Sequence, residues 1–170
     1  MRLFIGLPFD PEARRAFAGV QAELKVRASD GKFTSPDNFH LTLAFLGEVE
    51  EDRLPAVKAA LRSAPVEPTA LTFDRLSSFF GGIWHLDPAF SAPLFRAQLR
   101  LVRALKREGF PPEDRPYVPH LTLGRKVALL PGEDPAGALA APIPTLSGPG
   151  TLFHSHRVEG VLSYTPIFTP

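Results

Sequence analysis

The amino-acid sequence predicts an α+β fold in two pseudo-symmetric lobes, with antiparallel sheets lining a central groove and helices on the outside. Three observations lead there. Strand-like and helix-like stretches follow one another along the 170 residues without the strict alternation that parallel β-α-β units require. The tetrapeptide His-Leu-Thr-Leu occurs twice, at 40–43 and at 120–123, eighty residues apart and once in each half, as two related lobes would place it. The length and a hydrophobic content of 44% suffice for one shared core, so residues 1–170 read as a single domain made of two lobes.

Each element has a local reason. Residues 2 to 8 alternate as a first strand. Asp10-Pro11-Glu12 then opens a helix, with proline just inside the start and an acidic residue in the first turn. Ala13, Phe17, Val20 and Leu24 recur at helical spacing to about Lys25. Gly31 is expected to close a connection, and the first motif strand follows Pro36-Asp37-Asn38. From Glu51 to Ala64 the spacing of Leu54, Val57 and Leu61 predicts a second helix, with Pro55 tolerated in its first turn. Leu71-Thr72-Phe73 and Ile83-Trp84-His85-Leu86 read as strands around a Gly81-Gly82 turn. Ser91-Ala92-Pro93 opens a third helix carrying Leu94, Leu101, Val102 and Leu105 to a stop at Gly109. After the second motif strand, Leu129 to Pro149 is rich in Pro, Gly and Ala and is expected to be a loop with one short turn of structure. Two strands, through Thr151-Leu152-Phe153 and Gly160 to Tyr164, complete the chain.

In an extended strand successive side chains point to opposite faces, so the His and Thr of each motif share a wet face and its two leucines a core face. Phe39, Leu41, Leu43 and Phe45 are expected inward around the first copy. Val118, Leu121, Leu123 and Val127 are expected inward around the second, Val118 through a change of phase near Pro119. Two of only five histidines thus occupy identical settings. Imidazoles facing each other across a groove suit general acid–base work, because an ordinary pKa of about 6.5 leaves both protonation states accessible near neutrality.

The composition narrows the partners. Absence of cysteine removes disulfides, thiol catalysis and thiolate metal sites. A formal net charge of +1 argues against a broad electrostatic grip on long nucleic acid and favours a small phosphorylated end. No apolar run approaches the length that spans a membrane, and Met1 to Pro8 is too short and wrongly flanked for a signal peptide, so a soluble, cytoplasmic monomer is expected. Fourteen of nineteen basic residues are Arg and proline reaches nineteen, a bias that fits heat adaptation and that a GC-rich genome also produces. No phosphate-cradling Gly-rich loop with lysine and no Gly-x-Ser-x-Gly is present, which disfavours nucleoside triphosphatase and serine hydrolase chemistry.

Three stretches carry a family resemblance: 2–6 (Arg-Leu-Phe-Ile-Gly), 35–49 (Ser-Pro-Asp-Asn-Phe-His-Leu-Thr-Leu-Ala-Phe-Leu-Gly-Glu-Val) and 119–125 (Pro-His-Leu-Thr-Leu-Gly-Arg). In their order and separation the chain resembles the two-histidine (2H) phosphoesterases, and among them the RNA 2′,3′-cyclic phosphodiesterases, also called 2′-5′ RNA ligases. Ala44 departs from a lysine common in that family, and the Gly81 to Trp84 segment is shorter than its counterpart. The resemblance implies hydrolysis of a 2′,3′-cyclic phosphate at an RNA end, tRNA fragments included, to a 2′-phosphate, with 2′-5′ ligation as the reverse reaction and no cofactor or metal. It implies His40 as proton donor and His120 as proton acceptor, a choice that the residue pattern leaves open. Thr42 and Thr122 would bind phosphoryl oxygens.

Arg125, three residues beyond Thr122, matches an arginine that relatives hold near the phosphate, where its fork takes two oxygens; the competing reading is a solvated strand-end residue. Phe4 alternates with Leu3 and Ile5, and either faces the groove to stack on a base or joins the core. His154 and His156 project from one strand face but lack an acidic or cysteine partner nearby, so a surface pair is expected rather than a metal site. His85, beside Trp84, reads as structural. Two other functions are compatible: a nucleotide-binding module without turnover, and a phosphodiesterase for another small cyclic phosphate.

Overall fold

The computed structural model describes all residues 1–170. In chain order the elements are β1 (Arg2–Pro8), α1 (Pro11–Val26), β2 (Ala28–Phe33), β3 (His40–Glu48), α2 (Leu54–Ser63), β4 (Ala70–Phe79), β5 (Ile83–Pro88), α3 (Ala92–Arg107), β6 (Leu121–Leu129), β7 (Ile143–Leu146), β8 (Thr151–Val158) and β9 (Val161–Phe168). Short 3-10 turns cover Pro36–Asn38, Glu51–Arg53 and Pro135–Ala138. The strands form two antiparallel sheets, of order β3-β1-β8-β9 and β2-β6-β5-β4-β7. One motif strand lies in each sheet, β3 at an edge and β6 between two neighbours.

The helices start where their caps dictate. The Asp10 carboxylate accepts from the Ala13 amide at 2.7 Å, and the Ser91 hydroxyl accepts from Leu94. Both satisfy an amide that the first turn leaves unpaired. Helix α1 packs on β2, β6 and β7, whereas α2 packs on α3 and α3 on β3. Between them lies one cluster of 28 buried residues, drawn from both sheets and all three helices. It contains Leu3, Ile5 and Leu7 of β1 and the inward leucines of both motifs. The His-Thr faces of β3 and β6 therefore point away from the helices, and the two motif strands touch each other.

Two strands differ from expectation. The segment Ala28–Phe33, expected as a connection around Gly31, is β2. Its Ala-Ser-Asp-Gly-Lys-Phe composition has no apolar alternation, and it is ordered by pairing with β6 through two register shifts. There Gly31 sits against Phe33 and Val127 so closely that a Cβ would come within 3.0 Å of each. Within the expected loop Leu129 to Pro149, Ile143–Leu146 is strand β7. Pro144 argues against a strand in sequence, yet β7 is an edge strand, where proline's missing amide is harmless.

Two side chains also differ. Phe45 is not inward but 39% exposed, because β3 bulges against β1 on both sides of it, at Leu43 and Leu46, which breaks the alternation. Its ring lies under the Arg2 guanidinium at 4.9 Å. Val118 is 49% exposed, since β6 begins only at Leu121 and no strand phase extends back to it. Half-buried Tyr117 packs against the core instead and donates its hydroxyl to the Thr42 carbonyl at 3.1 Å, tying the approach to the second motif onto the first.

Candidate active site

Both motif histidines are held in the same way. His40 Nδ1 lies 2.7 Å from the Asn38 carbonyl and His120 Nδ1 lies 2.8 Å from the Val118 carbonyl, in each case two residues back. A carbonyl oxygen only accepts, so Nδ1 carries the proton in both rings and Nε2 is left for chemistry. At His40 the Thr42 hydroxyl meets Nε2 at 3.0 Å and donates to the neutral ring. The sequence places His and Thr on one strand face; the backbone before each strand sets the tautomer.

Electrostatically the two rings differ. Burial pushes His40 down from 6.5 to about 4; the bond to Asn38 opposes this, and the charges of His120 and Arg125 add to it. His120 is also lowered, first by burial, with the Val118 bond opposing. It has in addition a carboxylate within reach, Asp87, that favours its charged form. The charge of His120 is thus felt at His40. Arg125 on β6 is exposed, and its charge acts on His40, His120 and Tyr164 together. A guanidinium in that position suits an anion lying between the two motifs.

Phe4 is on the His40 side of β1 but only 4% exposed. It is covered by His40 at 4.7 Å, Phe153 at 5.2 Å and Tyr164 at 4.9 Å between ring centroids. It backs the histidine and, with it, lines the small cavity there. Tyr164 meets His40 edge-on at 5.0 Å, and burial raises its pKa. A small cavity of about 50 Å³ opens beside His40, among Arg14, Asp37, Asn38 and Tyr164.

Away from the groove, His154 and His156 stack with centroids 4.4 Å apart, and His156 Nε2 pairs with the Thr165 hydroxyl at 2.7 Å. No group of three or more His, Cys, Asp or Glu side chains is placed to hold a metal ion. No helix is long and apolar enough to cross a membrane.

Several residues around the groove carry no local signal in the sequence. Tyr164, Tyr117, Phe79 and Asp87 reach the motifs from four different places in the chain, and only the Asp87 spacing from His85 hints at a pair. The Phe79 ring packs on His120 at 5.0 Å because Gly81 and Gly82 turn β4 sharply into β5. Both have positive φ, and a Cβ on Gly82 would lie 2.6 Å from the Val127 carbonyl oxygen.

Four likenesses accord with this geometry. The family described as LigT like Phosphoesterase matches residues 7–84. An RNA 2′,3′-cyclic phosphodiesterase of Bacillus subtilis (strain 168) is 31% identical over 72% of this chain and 70% of its own length, and one of Thermus thermophilus is 36% identical over 79% and 73%. The crystal structure of E. coli LigT complexed with 3′-AMP matches with a TM-score of 0.82 at 25% identity, over 98% of this chain and 95% of that one.

Proposed function

The chain belongs to the LigT-like phosphoesterase family of the 2H superfamily, and from that premise we propose that it opens 2′,3′-cyclic phosphates at RNA ends to 2′-phosphates by two-histidine acid–base catalysis. The observation that carries this reading is the pair of histidines from separate sheets, each with Nδ1 on a carbonyl two residues back and each sensing charge in the same groove. In the forward reaction His120 Nε2 takes a proton from water as the oxygen attacks phosphorus, and His40 Nε2 protonates the departing 3′ ribose oxygen. Thr42, Thr122 and Arg125 hold the non-bridging oxygens. With a 5′-hydroxyl in place of water, the same base and acid give 2′-5′ ligation, the 3′ oxygen again leaving protonated. The names of the relatives and the 3′-AMP seated on LigT support RNA ends as the substrate class.

The test is turnover of an oligoribonucleotide ending in a 2′,3′-cyclic phosphate, with the product isomer read by phosphorus NMR. The expected product carries phosphate on the 2′ oxygen; a dominant 3′-phosphate means the substrate sits reversed, and no turnover sinks the reading. Imidazolium, hydroxyls and guanidinium supply the charge stabilisation that metals give elsewhere, so EDTA is expected to leave the rate within about twofold. Collapse in chelator with recovery in one divalent metal would overturn the mechanism.

The lowered His40 value has a kinetic consequence. A proton donor must be protonated, so kcat/KM is expected to fall as pH rises through its free-enzyme value of about 4. The anionic phosphate between the rings favours imidazolium, so the corresponding limb of kcat is expected at distinctly higher pH. Coincident limbs in the two profiles would show that substrate charge does not reach His40.

A further inference from the structure

Beneath His120 lies a polar group that the chemistry above does not use. His85 is 2% exposed and Asp87 5%. His85 Nδ1 meets the Asp87 carboxylate at 2.6 Å, and the same carboxylate accepts from Ser77 Oγ at 2.8 Å and from Arg75 Nε at 3.0 Å. With Nδ1–H donated to Asp87, the other ring nitrogen, Nε2, is buried and has no hydrogen-bond partner. Burying a carboxylate and an imidazole is costly, and apolar residues of similar volume would fill the space more cheaply.

Strand register places this pair against the second motif. In the β5·β6 ladder His85 lies opposite Thr122 and Leu86 opposite Leu121, the pair next to His120. His85, Asp87 and Thr122 therefore share the face turned away from the core leucines. The His85 and His120 rings are 5.2 Å apart, tilted by 59°, and Phe79 clamps both, at 4.0 Å from His85 and 5.0 Å from His120. The first motif has no counterpart: the charges acting on His40 are those of His120 and Arg125, both positive when charged.

We propose that Asp87 and His85 are a buried positioning pair for His120, the His85 ring fixing it from behind and the Asp87 carboxylate offsetting the charge it acquires on accepting a proton. This rests on the acid–base reading above. The asymmetry has a purpose in that reading: the groove already holds Arg125 and a protonated His40, so a third cation at His120 needs an anion close by. His85 and Arg125 act on His120 as positive charge, His85 the more strongly, and Asp87 is the carboxylate that opposes them. Ser77 and Arg75 keep that carboxylate ionised, since their hydrogen bonds and that of His85 outweigh the effect of burial and hold its pKa below the usual value.

The experiment compares wild type, Asp87→Asn and His85→Phe, which keeps a ring for Phe79 to pack on. Imidazole NMR titration follows His120, and kinetics use the cyclic-phosphate oligoribonucleotide. Removing the anion disfavours imidazolium, so in Asp87→Asn the His120 midpoint is expected to move to lower pH by about one unit, with that of His40 unmoved. In both variants kcat is expected to fall about tenfold with KM nearly unchanged, the scale of effect seen when a partner behind a reacting group is lost. A folded Asp87→Asn protein with an unmoved His120 midpoint makes the pair structural and ends the proposal. If Asp87→Asn does not fold, His85→Phe decides: wild-type kcat overturns the positioning role, and a tenfold loss at near-native melting temperature upholds it. Should wild type show no phosphodiesterase turnover, the acid–base reading fails, while the His120 titration still reports on the pair.

Discussion

Replacement of His40 or His120 by Ala is expected to lower turnover by about two to four orders of magnitude while folding stays nearly intact, the range for losing a positioned acid or base. Both rings lie on the face away from the 28-residue core, so truncation leaves its packing in place. The double variant should be far less than multiplicatively worse, because acid and base act in one displacement and either loss alone already breaks it. In pH profiles each single variant should lose one limb, and the limb that goes identifies that residue's role. Near-full turnover in either variant, together with a sharp fall in melting temperature, would make that histidine a structural residue.

The neighbouring position should give the opposite result. Leu121→Ala is expected to destabilise the protein by about 2–5 kcal/mol, read as a shift of the denaturant midpoint, while kcat per folded molecule stays within a few-fold. Leu121 is 0% exposed and belongs to the cluster shared by sheets and helices, so removing its isobutyl group leaves a hole that a close-packed core fills only in part. His120 and Leu121 are consecutive, and strand geometry alone assigns one to chemistry and the other to the core. An unchanged midpoint in Leu121→Ala would mean that β6 is not packed as described.

Much of this was legible in the residues. Helices α1 and α3 lie within a residue or two of their caps and periodicity, because proline position, capping side chains and apolar spacing are short-range properties. Helix α2 starts three residues later than expected, after a 3-10 turn at Glu51–Arg53. The two motif strands and their inward leucines follow from alternation in the same way. Where alternation was carried past the strand's own limits it failed, at Phe45 beyond a bulge and at Val118 before the first paired residue. The polar β2 and the proline-bearing β7 carry no strand signal in sequence because what orders them is a partner strand, not a pattern of their own.

The candidate site divides along the same line. The sequence by itself determined that His40, Thr42, His120 and Thr122 share wet faces of two strands, since that depends only on the two-residue period of an extended chain. Tertiary structure alone decided which groups surround them. It covered Phe4 with Tyr164 and Phe153, brought the Arg125 charge to both rings, and set Asp87 behind His120 with nothing equivalent behind His40. Two motifs identical in sequence thereby became electrostatically unlike. The reason is physical: desolvation and Coulomb interactions act through space, between residues that the chain separates by dozens of positions, whereas strand alternation acts along the chain.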